Sequence, residues 1–204
     1  MRFGTPLPTD GVVALTLFVS SDASVLCDGD RDPEHRRWFE FPDDFVPSMR
    51  HSLEVIARWE EERIDGRRFP FAVRDAVTDT LLGGCELRPR ADQAANLSYW
   101  TYPAHRNRGI ASRAVALACK VAFADFGLRR VEVLTDPDNA PSCRVAIRNG
   151  FRVAGVRASE HAPANYTLHP SPGAGRRARR GLRPQTRPSW LSVGVRRPHA
   201  LGRL

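Results

Sequence analysis

The run from Ala111 to Phe126 constrains the fold more than any other stretch of this chain. Read as a helix, it places Ala114, Val115, Leu117, Ala118, Val121, Ala122 and Phe126 over most of its surface. A helix with so wide an apolar stripe has to lie against a sheet and be partly covered again from outside. Gly127 is placed to end it. The residues before it, Tyr102-Pro103-Ala104-His105-Arg106-Asn107-Arg108-Gly109-Ile110-Ala111-Ser112, read as strand end, tight loop and helix start. Asn96 to Tyr102 is rich in aromatic and hydroxylated residues that suit a pleated surface. Pro103 lacks a backbone donor and closes that strand. Gly109 lets the backbone approach a ligand, and the first amides of the following helix have no internal partner. Those donors, the positive end of the helix dipole and the charges of Arg106 and Arg108 together predict a phosphate-holding loop.

The other elements follow from local signals. Val12 to Val19 is a continuous apolar first strand. Asp32 caps a helix starting at Pro33, with Glu34 in its first turn. A second helix fits Ser48 to about Asp65 and stops at Gly66. Arg68 to Val73 and Leu81 to Leu87 form a hairpin around Thr78-Asp79-Thr80, and Gly83 and Gly84 weaken its second strand unless something packs on its backbone. Ala94 to Tyr102 is the next strand. After the long helix come a strand at Arg130 to Thr135, a helix at Ala140 to Arg148 capped by Asn139 or Asp138, and a strand at Phe151 to Val156. This order predicts an α+β domain, a mixed, mostly antiparallel sheet flanked by helices.

Arg106-Asn107-Arg108-Gly109-Ile110-Ala111 resembles the Q/R-x-x-G-x-G/A coenzyme A signature of the GCN5-related N-acetyltransferase (GNAT) superfamily. Asn139-Ala140-Pro141-Ser142 and then Asn149-Gly150-Phe151 resemble the second block of its RimJ/RimL-type branch. The two blocks stand in the family's order, and the resemblance is clear over roughly Thr78 to Arg157. It implies a GNAT-like fold and an acetyl-CoA-dependent N-acetyltransferase that passes acetyl to a primary amine, on a protein N-terminus or a small molecule. It also implies two helices after the first strand that wall the acceptor site, and a closing strand near the end. Only Ala164-Asn165-Tyr166-Thr167-Leu168 is available for that strand, and it is short.

Charge divides the chain. The formal charge is +8, yet the segment from Ser159 to Leu204 holds nine arginines against one acid, Glu160. Residues 1–158 therefore carry 22 basic and 22 acidic side chains, which argues against nucleic acid as a partner of the folded part. The expected organisation is an acetyltransferase-like domain over 1–158, with a weak last strand at 164–168, and an Arg/Pro-rich tail over 170–204. That tail cannot bury enough apolar surface to offset its ordering entropy and is expected to be disordered. It is either a basic tail for an anionic partner or the product of out-of-frame translation; in the second case the sheet loses its edge cover. Cys27, Cys85, Cys119 and Cys143 have no metal-ligand spacing and read as reduced thiols. Met1 to Ser20 reads as neither an export signal nor a membrane span. A cytoplasmic protein, with no metal and no membrane partner, is the expectation; the family's habits leave a homodimer open.

Acetyl transfer needs a held coenzyme, a neutral amine, an oxyanion donor and an acid for the departing thiolate. By resemblance, Arg106, Asn107, Arg108, Gly109, Ile110, Ala111 and Ser112 bind the coenzyme's phosphates. The backbone of Trp100 and Thr101 meets its pantetheine arm, and Asn139 and Ser142 lie near its sulfur. Ser142 is the first candidate for protonating the thiolate, with Tyr99 as an alternative acid; an N-terminal helix residue and a core aromatic are their plain structural readings. Glu86, in a strand pattern with Leu82 and Gly84, is a candidate base, against the commoner reading of an exposed strand acid. His35 and His51 fall in the acceptor wall that the resemblance implies, where the commoner reading is an exposed helix residue, and His105, nearest the site, reads as a solvent-facing loop residue. The alternative function is an acyl-CoA-binding protein with little or no turnover.

Overall fold

The computed structural model describes residues 8–156 and 164–168. Strand β1 (Val13–Thr16) is followed by a short 3-10 turn, Ser20–Asp22, and helices α1 (Ala23–Gly29), α2 (Pro33–Trp38) and α3 (Met49–Ile64). Strands β2 (Phe69–Asp75), β3 (Leu81–Arg90) and β4 (Ala94–Thr101) come next. Then follow α4 (Ile110–Lys120), β5 (Arg130–Thr135), α5 (Ala140–Arg148), β6 (Arg152–Val156) and β7 (Ala164–Leu168). The seven strands form one sheet in the order β1-β2-β3-β4-β5-β7-β6, in which only β4 and β5 run parallel. The α+β class and the mostly antiparallel sheet expected from the sequence are therefore present.

The caps explain where α2 and α3 start. The Asp32 carboxylate accepts the His35 amide at 2.8 Å, with Pro33 at the first position, and Ser48 Oγ accepts the His51 amide at 3.2 Å. Two expectations need amending here. Three helices follow β1, not two, because Ala23–Gly29 folds as well. Its entry is held from a distance: Arg74 on β2 binds both carboxylate oxygens of buried Asp22, at 2.8 and 2.7 Å, and donates to Thr16 Oγ1 at 2.9 Å. The closing strand also exists, since Ala164–Leu168 inserts between β5 and β6 and pairs antiparallel with both. The tail expected to be disordered, 170–204, lies outside the described residues.

Alternation along the strands builds two cores. Val13, Leu15, Phe69, Phe71, Val73, Cys85, Leu87, Leu97, Val131 and Val133 face the buried side of α4, through Ala114, Val115, Ala118, Val121 and Ala122. The α4 run continues as a π turn over Val121–Asp125, so it is apolar to its end, as its composition requires. On the opposite face Ala23, Leu26, Ile56, Ala72, Leu81 and Tyr102 pack with Phe18, Trp59 and Trp100. Trp100 explains the glycine pair in β3. A Cβ on Gly84 would stand 2.2 Å from the Trp100 ring, and one on Gly83 would stand 2.3 Å from its backbone oxygen. The rim of the site depends on that close approach.

Candidate active site

The parallel ladder between β4 and β5 is short. Ala94, Ala95 and Asn96 pair with Arg130, Val131 and Glu132, and the two strands then separate. Between them opens a cleft of about 1060 Å³ lined by Leu97 to Thr101 on one side and Val133 to Thr135 on the other. Its two ends are closed by the start of α4 and by α5, with α2 as a third wall. Leaving β4, the chain runs through the turn Pro103–His105 into a loop in which Asn107 (φ 60°) and Gly109 (φ 75°) are left-handed. Gly109 is the N-cap of α4 and no side chain caps that helix, so its first amides face the cleft beside Ile110, Ala111 and Ser112. Backbone donors converging in such a turn form an anion-binding concavity.

At the other end, Asn139 Oδ1 accepts the Ser142 amide at 3.1 Å and caps α5. This turns Ser142 toward β4, where the Tyr99 hydroxyl donates to the Ser142 carbonyl oxygen at 3.0 Å and lies 3.0 Å from Ser142 Oγ. Two candidate acids are thus a single hydrogen-bonded pair bridging the cleft. Buried Thr101 Oγ1 and Trp38 Nε1 make no hydrogen bond among the described residues, which leaves polar capacity in the cleft wall.

The remaining sequence candidates are placed differently from one another. Trp100, Thr101, Asn107, Gly109, Ile110, Ala111, Ser112 and Asn139 line the cleft. Arg106 lines it too, but its guanidinium is engaged by α2: it binds Asp32, meets Glu34 Oε2 at 2.7 Å and donates from Nε to the Thr101 carbonyl at 3.2 Å. Its charge ties the loop to the start of α2. Asp32 is half-hidden, which raises its pKa, but Arg106 and the His35 amide outweigh that and hold it below the usual carboxylate range. Arg108 is exposed and lies 3.5 Å from His105 Nδ1. Glu86 does not line the cleft. Its buried carboxylate is held by Arg88 at 2.6 Å and by Arg68 at 3.5 Å. On α3, Glu60 is likewise matched to Arg63, and Glu62 to Arg67 and Arg68.

His35 was read as an exposed helix residue and is not. Its side chain is 11% exposed and lines the cleft, with its ring stacked on Phe39 (4.4 Å) and edge-on to Phe41 and Trp100. Burial lowers its pKa to about 4, against the pull of Asp32. Asp30, whose Oδ1 lies 3.7 Å from His35 Nε2, is raised to about 6, also by burial. The spacing carries a signal: His35 on α2 and Phe39, the cap residue just after it, are four positions apart and so share a face. Among the described residues no cluster of His, Cys, Asp or Glu could hold a metal ion, and no helix is long and apolar enough to cross a membrane.

The family profile described as the acetyltransferase (GNAT) domain matches residues 13–152. The uncharacterized N-acetyltransferase p20 of Bacillus licheniformis is 26% identical over 138 residues, covering 66% of this chain and 76% of that protein. Among solved structures, Mycobacterium smegmatis RimJ in complex with CoA-disulfide superposes with a TM-score of 0.67 at 23% identity, covering 78% of this chain and 82% of that one. The spermidine N-acetyltransferase of Vibrio cholerae in complex with CoA and spermine gives 0.66 at 15% identity, covering 78% and 96%. Identities this low carry the fold alone.

Proposed function

Since the chain belongs to the acetyltransferase (GNAT) family, we propose that it transfers acetyl from acetyl-CoA to a primary amine by direct attack on the thioester. By family it is an acetyl-CoA-dependent acyltransferase; the acceptor and the route are our reading. The observation that carries it is the open edge between β4 and β5, with an uncapped helix start at one end and the Tyr99–Ser142 pair at the other.

The residues divide the work as follows. The backbone of Asn107 to Ser112 receives the coenzyme's pyrophosphate. The β4 edge beyond Asn96, which β5 no longer pairs, offers backbone groups to the pantetheine arm and a donor to the oxyanion. The amine lone pair attacks the carbonyl carbon, and the tetrahedral centre collapses with cleavage of the C–S bond. The thiolate takes its proton from the Ser142 hydroxyl, which is replenished across the 3.0 Å contact from Tyr99. Asn139 positions Ser142 through its amide. One specific observation favours the second reading, coenzyme binding without turnover: the candidate base Glu86 is locked between two arginines.

The test is free-thiol release from acetyl-CoA with an amine panel, paired with a mass measurement of the acceptor. Thiol release with a matching acetylated product supports transfer. Coenzyme binding without either supports the second reading.

A further inference from the structure

The chain's acceptor side contains a group that the coenzyme-side mechanism leaves unused. We propose that His35, backed by Asp30, removes the proton that the acceptor ammonium brings into the cleft. This rests on the transferase reading above and assigns the base that reading lacks.

Four observations carry it. First, His35 lines the cleft from α2, opposite the β4 edge, and its ring makes no hydrogen bond among the described residues. Its Nε2 is directed at Asp30, and nothing commits the other nitrogen. Secondly, the ring is held in place without being used up: Phe39 stacks on it at 4.4 Å, and Phe41 and Trp100 abut its edge. Thirdly, Phe39 and Trp100 meet edge to face at 5.8 Å and both line the cleft, so aromatic surface suited to an ammonium adjoins the imidazole. Fourthly, Glu86 is ruled out for this role by its place away from the cleft.

The surrounding charges suit the task. Asp30 and Asp32 act on His35 from the turn before α2 and Arg106 from the loop after β4; His51 on α3 and Arg36 on α2 act on Asp30, and Glu34 meets Arg106. Arg106 is countered by Asp32 and Glu34, so it does not repel an incoming cation with its full charge. Burial leaves His35 unprotonated but lowers its affinity for a proton; Asp32, and Asp30 facing Nε2 and itself short of water, offset that cost when the ring accepts one. The proton balance closes. The ammonium gives one proton to His35, directly or across one water, and the imidazolium then releases it to solvent. The attacking nitrogen loses a second proton to solvent as the amide forms, the thiolate takes up one from Ser142 that Tyr99 replaces, and solvent returns one to Tyr99, so the net transfer is one proton from nitrogen to sulfur. Asp30 acts through His35 and is a positioning residue.

The test uses the full-length protein with three amines: a tetrapeptide with a free N-terminus, spermidine and tyramine. Thiol release is followed from pH 6 to 9 for the wild type, His35→Gln and Asp30→Asn. Acetyl-CoA binding and thermal melts are measured on each to separate misfolding from lost chemistry. For the wild type, kcat/KM with the preferred amine is expected to be nearly flat above neutrality. His35→Gln is expected to bind acetyl-CoA unchanged and to lose about 10²-fold in kcat/KM at pH 7. Its residual rate should rise about tenfold per pH unit, because only amine already neutral in solution reacts. Asp30→Asn should lose less and show the same slope in part. A His35→Gln rate within threefold of wild type, or a pH slope unchanged from wild type, overturns the assignment. A folded wild type that binds acetyl-CoA and releases no thiol with any of the three amines instead refutes the transferase reading on which it stands.

Discussion

Replacing Tyr99 by Phe removes one oxygen that contacts both the carbonyl and the hydroxyl of Ser142, each at 3.0 Å. The structural cost is small: the site is half-buried, and one net hydrogen bond is worth about 1 kcal/mol. For a chain of this size that is a fall in Tm of about 2–4 °C. The chemical cost is larger, because a positioned acid contributes roughly 10²- to 10⁴-fold. Ser142→Ala leaves the Tyr99 hydroxyl with its carbonyl partner, so the loss should sit near the low end, about 10²-fold or about 2.7 kcal/mol. If the two hydroxyls deliver one proton in series, removing both costs no more than the worse single change. Two independent contributions would multiply to about 10⁴-fold, so the coupling energy expected is again about 2.7 kcal/mol. The assay is kcat at saturating acetyl-CoA for the two single variants and the double. Multiplicative losses would refute the relay. So would a Ser142→Ala rate within threefold of wild type.

Three further outcomes follow from the geometry. Asp22→Asn leaves the Arg74 guanidinium, 9% exposed, with only the exposed Asp79 carboxylate 3.7 Å away and should cost about 3 kcal/mol in urea unfolding; a cost under about 1 kcal/mol would remove the pair from its place as the anchor of α1. Glu86→Gln should leave kcat within threefold while lowering Tm, since the carboxylate serves Arg68 and Arg88; a loss of turnover without a fall in Tm would return Glu86 to the chemistry. The pH dependence of stability should change sign between two variants. His35 is depressed to about 4 from 6.5, so its contribution is present above 6.5 and lost as pH falls toward 4. Asp30 is raised to about 6 from 3.8, so its contribution is present below 3.8 and lost as pH rises through 6. Melts between pH 6.5 and 4 should therefore show His35→Gln gaining stability on acidification relative to wild type, and Asp30→Asn losing it. Parallel curves would contradict both burial assignments.

What could be read from the sequence was local. The apolar girth of α4, the Asp32-Pro33 and Ser48 helix starts, the left-handed Gly109 and the Asn139 cap each depend on neighbours within a few residues. The glycine pair in β3 announced that something would lie on its backbone, and the cross-strand neighbour Trp100 does. What could not be read was set by partners far along the chain. Asp22 finds Arg74 across 52 positions, and that pairing organises a helix too short and too polar at its ends to show a period. Arg106 looked like a phosphate ligand until Asp32, 74 positions away, claimed it. Glu86 carried the right strand parity for a cleft residue, but parity cannot show two arginines closing on it. Tyr99 and Ser142 were separate candidates, and only the fold makes them a pair.

Acetyl-CoA binding tests the central claim most directly, through calorimetric titration of the full-length chain alongside Gly109→Trp. A Cβ at Gly109 meets no atom within 4 Å but is strained at φ +75°, so the indole should leave toward the loop amides and cover them. The account predicts saturable binding by the wild type that is lost in a variant still folded by circular dichroism. Absence of binding by folded wild type, or equal binding by the variant, would contradict it.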